Sequence, residues 1–385
     1  MLLKDTNIKR YFFIQQNAFR RLGFDLNSVE HTLRRPWMAW MPCFAILTII
    51  ACMGRFVLEH LTDVDMVAEA LSPLLQSTLS VWKLFLFVYN RREIVLLIKV
   101  IHRKGSKATS DELVIIKRQN HSDMLLSTFY STGVLLTSCL AIITPILMGA
   151  IMYFQHEIVI FKTPFQGNYP IDITKFMNYA VLVLWSAYGI SFNAFISIGV
   201  DCLYSWLAHN IIAHFCILKR KLSKLGIARS TTFTSSIKEC IQYHNDTIEM
   251  VKKLNQLYQP IIFVILVINC VQLCFLAYQV GRGVSMANIP FLVIFLAAVA
   301  IQLIIYCSGG QQIQDVSTSV AIEVYNTPDW TMVPVDMKPL MLLTIMRAQK
   351  PCLISAFFFR VNLGLFLSVL KTAASFVTLL KSLGE

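Results

Sequence analysis

Seven apolar stretches divide this chain, at about residues 37–58, 66–89, 127–154, 177–205, 260–280, 289–308 and 353–380. A bilayer core of about 30 Å takes roughly 20 mainly apolar helical residues to cross. Each stretch is that long, and in lipid a single segment satisfies its own backbone only as a helix. Composition agrees: 56% of the 385 residues are hydrophobic and 15% charged, against about a quarter charged in soluble domains. The pattern predicts an all-α polytopic membrane protein with seven transmembrane helices. Pro36 and Pro260 suit first-turn positions. Gly281 and the pair Gly309–Gly310 stand where spans are expected to stop. Pro145 predicts a bend in the third span. The opening MLLKDTNIKRYFF has neither the long apolar core nor the cleavage site of a signal peptide.

The basic residues orient these spans. Of the 34 lysines and arginines, 26 fall in the N-terminal segment and in the loops after spans 2, 4 and 6. Only Lys162, Lys175, Arg282 and Lys381 fall on the other side. Lysine and arginine are retained on the cytosolic side, so the N-terminus is cytosolic and the C-terminus extracellular. The net charge of +12 is then a property of orientation and predicts no nucleic-acid partner. G-protein-coupled receptors are threaded the other way. Their Asp-Arg-Tyr after span 3 and Asn-Pro-x-x-Tyr in span 7 are also absent here. The sequons at Asn120 and Asn245 fall on the cytosolic side and are expected to stay unglycosylated.

Four regions follow: a cytosolic segment 1–36; spans 1–6 over 37–308, with cytosolic helical extensions at 90–126 and 206–258; cytosolic anchor helices at 309–352; and a last span with the external C-terminus at 353–385. The apolar stripes of the cytosolic helices need partners, either as a compact helical domain or on the membrane surface. The ten cysteines form no metal-ligand or disulfide pattern. No nucleophile–base pair, metal pair or phosphate loop appears. The expectation is therefore a protein that is not an enzyme and has no catalytic residue, cofactor or metal. Arg55 and Lys83 are read as reaching the membrane interfaces, and Glu69 and Asp201 as solvated near span ends.

The last third carries a family resemblance. Ser319, Ala321, Tyr325 and Trp330 precede Leu342, Ile345, Arg347, Gln349 and Pro351. A Phe-rich entry to span 7 follows, then Ser375-Phe376 and Thr378-Leu379-Leu380. Asp201, Leu203, Leu207, Phe215 and His244 upstream, with the external Pro164, Tyr169-Pro170 and Asp172, fit the same pattern. Over about 155–382 the chain resembles the insect odorant receptors. The related gustatory receptors share the topology, but their Thr-Tyr-x5-Gln-Phe is replaced here by Thr372-Ala-Ala-Ser-Phe. The co-receptor subunit of the family is longer after span 4, so this chain resembles an odour-tuning subunit.

That resemblance implies a ligand-gated, non-selective cation channel assembled as a heterotetramer with the co-receptor, in the plasma membrane of olfactory sensory dendrites. A gustatory-type channel is the alternative. Partners would be the co-receptor, a small volatile hydrophobic ligand, membrane lipids and permeant cations. Span 7 would line the pore, with Leu379, Ser382 and Leu383 at the gate, closing it by dewetting. Tyr325, Trp330, Arg347 and Gln349 would serve the subunit anchor. The odour site is expected as an apolar pocket in the outer halves of spans 2, 3, 4 and 6. Its candidates are Leu74, Leu75 and Thr78; Met148, Ile151 and Met152; Tyr179, Leu184 and Tyr188; and Phe295. Lys371 departs from expectation, because a cation facing a pore repels permeant cations.

Overall fold

A computed structural model describes residues 11–26, 37–154, 163–225, 230–281, 288–326, 330–331 and 333–383. A short helix α1 (Phe13–Arg21) precedes six long ones. These are α2 (Trp37–Glu59), α3 (Val64–Ser106), α4 (Ser110–Phe154), α5 (Phe176–Leu225), α6 (Ser230–Gly281) and α7 (Ile289–Asn326). A single 3-10 turn (Val335–Met337) leads to α8 (Lys338–Gln349). A hairpin of β1 (Ser355–Ala356) and β2 (Phe359–Arg360) then precedes α9 (Leu363–Leu383).

Seven of these helices, α2 to α7 and α9, are long enough to cross a bilayer. Five of them are also strongly apolar among the described residues. The other two are α3, which carries Lys83, and the shorter α9.

Local chemistry sets the starts. Asp63 caps α3, its carboxylate accepting from the Asp65 and Met66 amides at 3.0 and 3.1 Å. At the start of α4 the Thr109 amide donates to the Glu112 carboxylate at 2.9 Å, the acidic half of a capping box. Asn362 caps α9 by accepting from the Leu365 amide at 2.9 Å.

The structure moves several expected boundaries. Spans 5 and 6 are each one unbroken helix with the cytosolic segment beside them, as spans 2 to 4 are with their extensions. Pro260 lies inside α6 and does not open a span. The pair Gly309–Gly310 lies inside α7 and ends nothing. Those glycines answer to packing: a Cβ on Gly309 would sit 3.2 Å from the Tyr204 ring, and one on Gly310 would overlap the Val361 carbonyl. The last span begins at Leu363, not near 353, because residues 354–361 turn back as the hairpin. Phe357, with φ 51°, makes that turn. Pro36 lies outside the described residues.

Helix α5 is the hub, packing against α1, α2, α3, α4, α6 and α7. The core is densest in the cytosolic half, where Phe12, Phe19, Phe87, Trp206 and Phe215 are fully buried. Polar links bind the extensions together there. Lys104 of α3 pairs with Asp246 of α6 at 2.9 Å, and His214 of α5 meets the Tyr243 hydroxyl at 2.6 Å. The Lys104 and Lys221 ammonium groups lie 4.5 and 5.2 Å from the Tyr243 ring centre. The extensions of α3, α5 and α6 thus pack on one another as a compact helical unit.

Candidate ligand cavity and its polar floor

A cavity lies among spans 2, 3, 4 and 6. Its outer wall is aromatic: Phe165 of the external loop with Phe291 and Phe295 of α7, the latter two rings 5.7 Å apart. Its sides are small, with Ala141 of α4, Ala194 of α5 and Ala298 of α7. Polar groups gather at the floor, with Gln76, Tyr130, Asn193, Ser197 and Gln302, while Thr137 and Ser138 higher on α4 turn their hydroxyls back to the Gly133 and Val134 carbonyls. No Asp, Glu, Lys, Arg or His is among the described lining residues. A second cavity, more polar, lies outward and shares Pro73, Ala141, Phe165 and Phe291 with the first.

The floor rests on a buried carboxylate. Asp201 of α5 is wholly inaccessible, as is Lys83 of α3, and the two pair at 2.8 Å. Three more donors converge. The Tyr130 hydroxyl of α4 reaches Asp201 Oδ2 at 2.5 Å and the Gln302 amide of α7 reaches it at 2.6 Å. The Tyr306 hydroxyl of α7 reaches Oδ1 at 2.6 Å. Gln302 also donates to the Tyr130 oxygen at 3.1 Å and accepts from Asn269 of α6 at 2.8 Å. Four helices therefore meet on one anion, and α6 joins through Asn269. A buried charge is tolerable only when paired and fully hydrogen-bonded, and this one is. The expectation that Lys83 snorkels and Asp201 is solvated fails for one reason. The bundle continues below the membrane, so residues near a span end lie in mid-core. Arg55 does lie near an outer end, bound to Glu59 at 2.8 Å.

Of the ten expected pocket residues, Phe295 lines the inner cavity and Met148 the outer one. Tyr179 is buried, and Leu74, Leu75 and Met152 are half-buried. None of these four lines either cavity. Thr78 turns its hydroxyl back to the Leu74 carbonyl at 2.9 Å. Ile151, Leu184 and Tyr188 face outward. Tyr130, Asn193, Ser197 and Gln302 were missed. An amide inside an apolar span is a functional signal in its own right, and Asn193 and Gln302 both carried it.

Among the anchor residues, the Trp330 indole donates to the Tyr325 carbonyl at 2.9 Å, while Arg347 donates to the Lys350 carbonyl at 3.2 Å. Gln349 is exposed. The side chains of Leu379, Ser382 and Leu383 lie outside the described ones. Sequence spacing also hid His209, whose Nδ1 comes within 3.9 Å of Asp123 in space. Asp123 lies below the membrane, and burial pushes its carboxyl up to about 6.

A seven-helix bundle with a cytosolic N-terminus and a cavity among its outer halves defines an all-α polytopic membrane protein of the inverted kind. The chain belongs to the odorant receptor family: residues 63–374 match the family described as 7tm Odorant receptor. It is 30% identical to Odorant receptor 45a of Drosophila melanogaster, over 97% of this chain and 98% of that one. It is 25% identical to Odorant receptor 9a of the same organism, over 98% and 96%. The fold is that of the insect olfactory receptor OR5 from Machilis hrabei, solved with eugenol, with TM-score 0.78 and 14% identity over 98% of this chain and 97% of that one. This is an insect family of odorant-gated cation channels, receptors of olfaction and not enzymes.

Proposed function

We propose that this chain is the odour-tuning subunit of a heterotetrameric, non-selective cation channel formed with the co-receptor, in the plasma membrane of olfactory sensory dendrites. The observation that carries the reading is the cavity among α3, α4, α5 and α7, aromatic outside, amide- and hydroxyl-lined at its floor, and without a charged side chain among its described lining residues. Such a wall suits a small neutral volatile held mainly by shape and dispersion. Its floor gives one oxygen function a place to hydrogen-bond. The receptor of the same fold was solved with eugenol, a neutral aromatic of that kind. Esters, alcohols, ketones and phenols fit, whereas carboxylates and ammonium compounds would enter without a counter-charge.

The last helix supports a pore role. In a single subunit α9 buries Val369 and Ala373 but exposes Ser368, Thr372, Ser375 and Thr378. Hydroxyls at this spacing form a stripe suited to an aqueous axis, with Leu379, Ser382 and Leu383 following it toward the gate. Lys371 stands on the same exposed side, so Lys371→Gln is expected to raise cation current through the mixed channel. Tyr325, Trp330, Arg347 and Gln349 are assigned to the subunit anchor.

The test is co-expression with the co-receptor in cells and a screen of neutral volatiles against acids and amines. Neutral volatiles should evoke current only when both subunits are present. Ala298→Trp, which fills the cavity, should abolish that current at unchanged surface expression, and Phe295→Ala should reorder the ligands. Responses that survive Ala298→Trp would place the site elsewhere.

A further inference from the structure

Tyr130 and Gln302 have two duties. Both line the cavity, and both donate to Asp201 Oδ2. Whatever occupies the cavity therefore touches the shell of the buried carboxylate directly. The other side of that carboxylate leads away from the ligand. Tyr306, which does not line the cavity, holds Oδ1. Its carbonyl accepts from the Tyr204 hydroxyl at 3.3 Å, and the two rings lie 4.5 Å apart. The Tyr204 ring packs on Gly309, and the next residue, Gly310, lies against the Val361 carbonyl. The Val361 amide donates to Ile354 at 3.0 Å across the hairpin. Its neighbour Asn362 caps α9.

We propose that Asp201, with Lys83 and Tyr306, is the positioning element that carries cavity occupancy to the pore helix, an inference that rests on the reading of the cavity as the odour site. The physical reason is exclusivity. All five side chains of the cluster are buried, and in so apolar a setting a carboxylate that loses a donor is costly to leave unpaired. A ligand that displaces Gln302 or Tyr130, by bulk or by competing for their hydrogen bonds, obliges the carboxylate to re-seat on its remaining donors. Tyr306 moves with it, and the α7 backbone against Val361 follows. Contact in such a core is held or lost in discrete arrangements, not stretched continuously.

The experiment uses the full chain with the co-receptor and Tyr306→Phe, which removes one hydroxyl and touches no ligand. A panel of chemically unrelated agonists is run at matched surface expression. Coupling predicts that EC50 rises by about fivefold or more, the low end of measured site-to-site couplings. The rise should be the same for every agonist, with their rank order kept. Tyr204→Phe, one step further along and without a bond to the carboxylate, should act in the same direction and serves where Tyr306→Phe reduces surface expression. Wild-type EC50 values and basal current in both variants would overturn the proposal, as would a shift confined to some ligands. A wild-type receptor that passes no evoked current would instead sink the odour-channel reading, which keeps the two failures distinct.

Discussion

Helix α5 is two helices in physical terms. Its outer half, from Phe176 to Asn193, alternates: Tyr179, Leu182, Ser186 and Ile190 are buried, while Met177, Val181, Leu184 and Tyr188 are exposed. Its inner half is buried at every residue from Ile196 to Phe215. The inner half is also the more polar. Ser197, Asp201, Ser205 and His209 recur every fourth residue, and Asn210 and His214 repeat the same spacing. Partners meet most of them: Gln76 reaches Ser197 at 3.2 Å, Asn120 and Asn210 exchange amide hydrogen bonds at 3.1 and 3.4 Å, and Tyr243 meets His214. A lipid-facing helix must stay apolar because lipid offers no partner. Where protein surrounds a helix, it can carry a polar stripe if each group is answered. The outer half keeps apolar walls and a void. The inner half trades the void for a locked polar seam.

The sharpest way to break that contrast is at the junction. Asp201→Leu alone leaves Lys83 buried without a counter-ion, at a cost of about 3–5 kcal/mol, and should remove the receptor from the cell surface. Replacing the pair together, Lys83→Met with Asp201→Leu, should restore much of the folded protein, since an apolar pair of similar volume is often neutral. Surface labelling of the three forms decides it, and a normally expressed single variant would show that the ion pair is not structural.

Next comes packing. Phe215→Ala in the inner half should cost about 3–5 kcal/mol, seen as a lower melting temperature in detergent. Leu184→Ala, 71% exposed on the outer half, should stay within about 0.5 kcal/mol. Equal losses would erase the distinction between the halves.

A smaller effect is expected from pH. Burial pushes His102 down to about 4. Burial and then Lys104 push His214 to about 3, and burial and then Arg347 push His244 to about 4. These rings stay neutral in the fold, whereas the unfolded chain takes up protons near the ordinary histidine value of about 6.5. Their stability contribution is intact above that value and is lost as pH falls below it. Asp123 acts oppositely: its raised carboxyl gains stability as pH falls through about 6. Three histidines outweigh one carboxyl, so the melting temperature should fall between pH 7.5 and 5. A flat profile would remove the claim.

The smallest expected change is none at all. Asn120 is buried, donating to the Ile116 carbonyl at 2.9 Å and facing Asn210, so glycosidase treatment should leave the protein's gel mobility unaltered. A shift that vanished on mutating Asn120 or Asn245 would reverse the orientation of the whole chain.

Span number, helical type and orientation were legible because each is written in one dimension. Apolar length and the 26 basic residues on one side need no knowledge of neighbours. The same reading opened a span at Pro260 and closed one at Gly309–Gly310, because local punctuation was weighed without the tertiary contacts that override it. It assigned Lys83 and Asp201 to water because distance from a span end is not depth in a core. It named Phe295 and Met148 at the cavities but missed Gln302 and Tyr130, whose importance lies in whom they meet.

By itself the sequence determined that seven apolar rods cross a bilayer with the N-terminus in the cytosol, since transfer energies and charge retention depend on residue type and order alone. Tertiary structure decided the rest: which polar side chains converge on Asp201, where the void opens, and how the floor of that void connects to the helix beginning at Leu363. Those are facts of angular position around packed helices, and no linear pattern fixes the facing residue on a neighbouring rod.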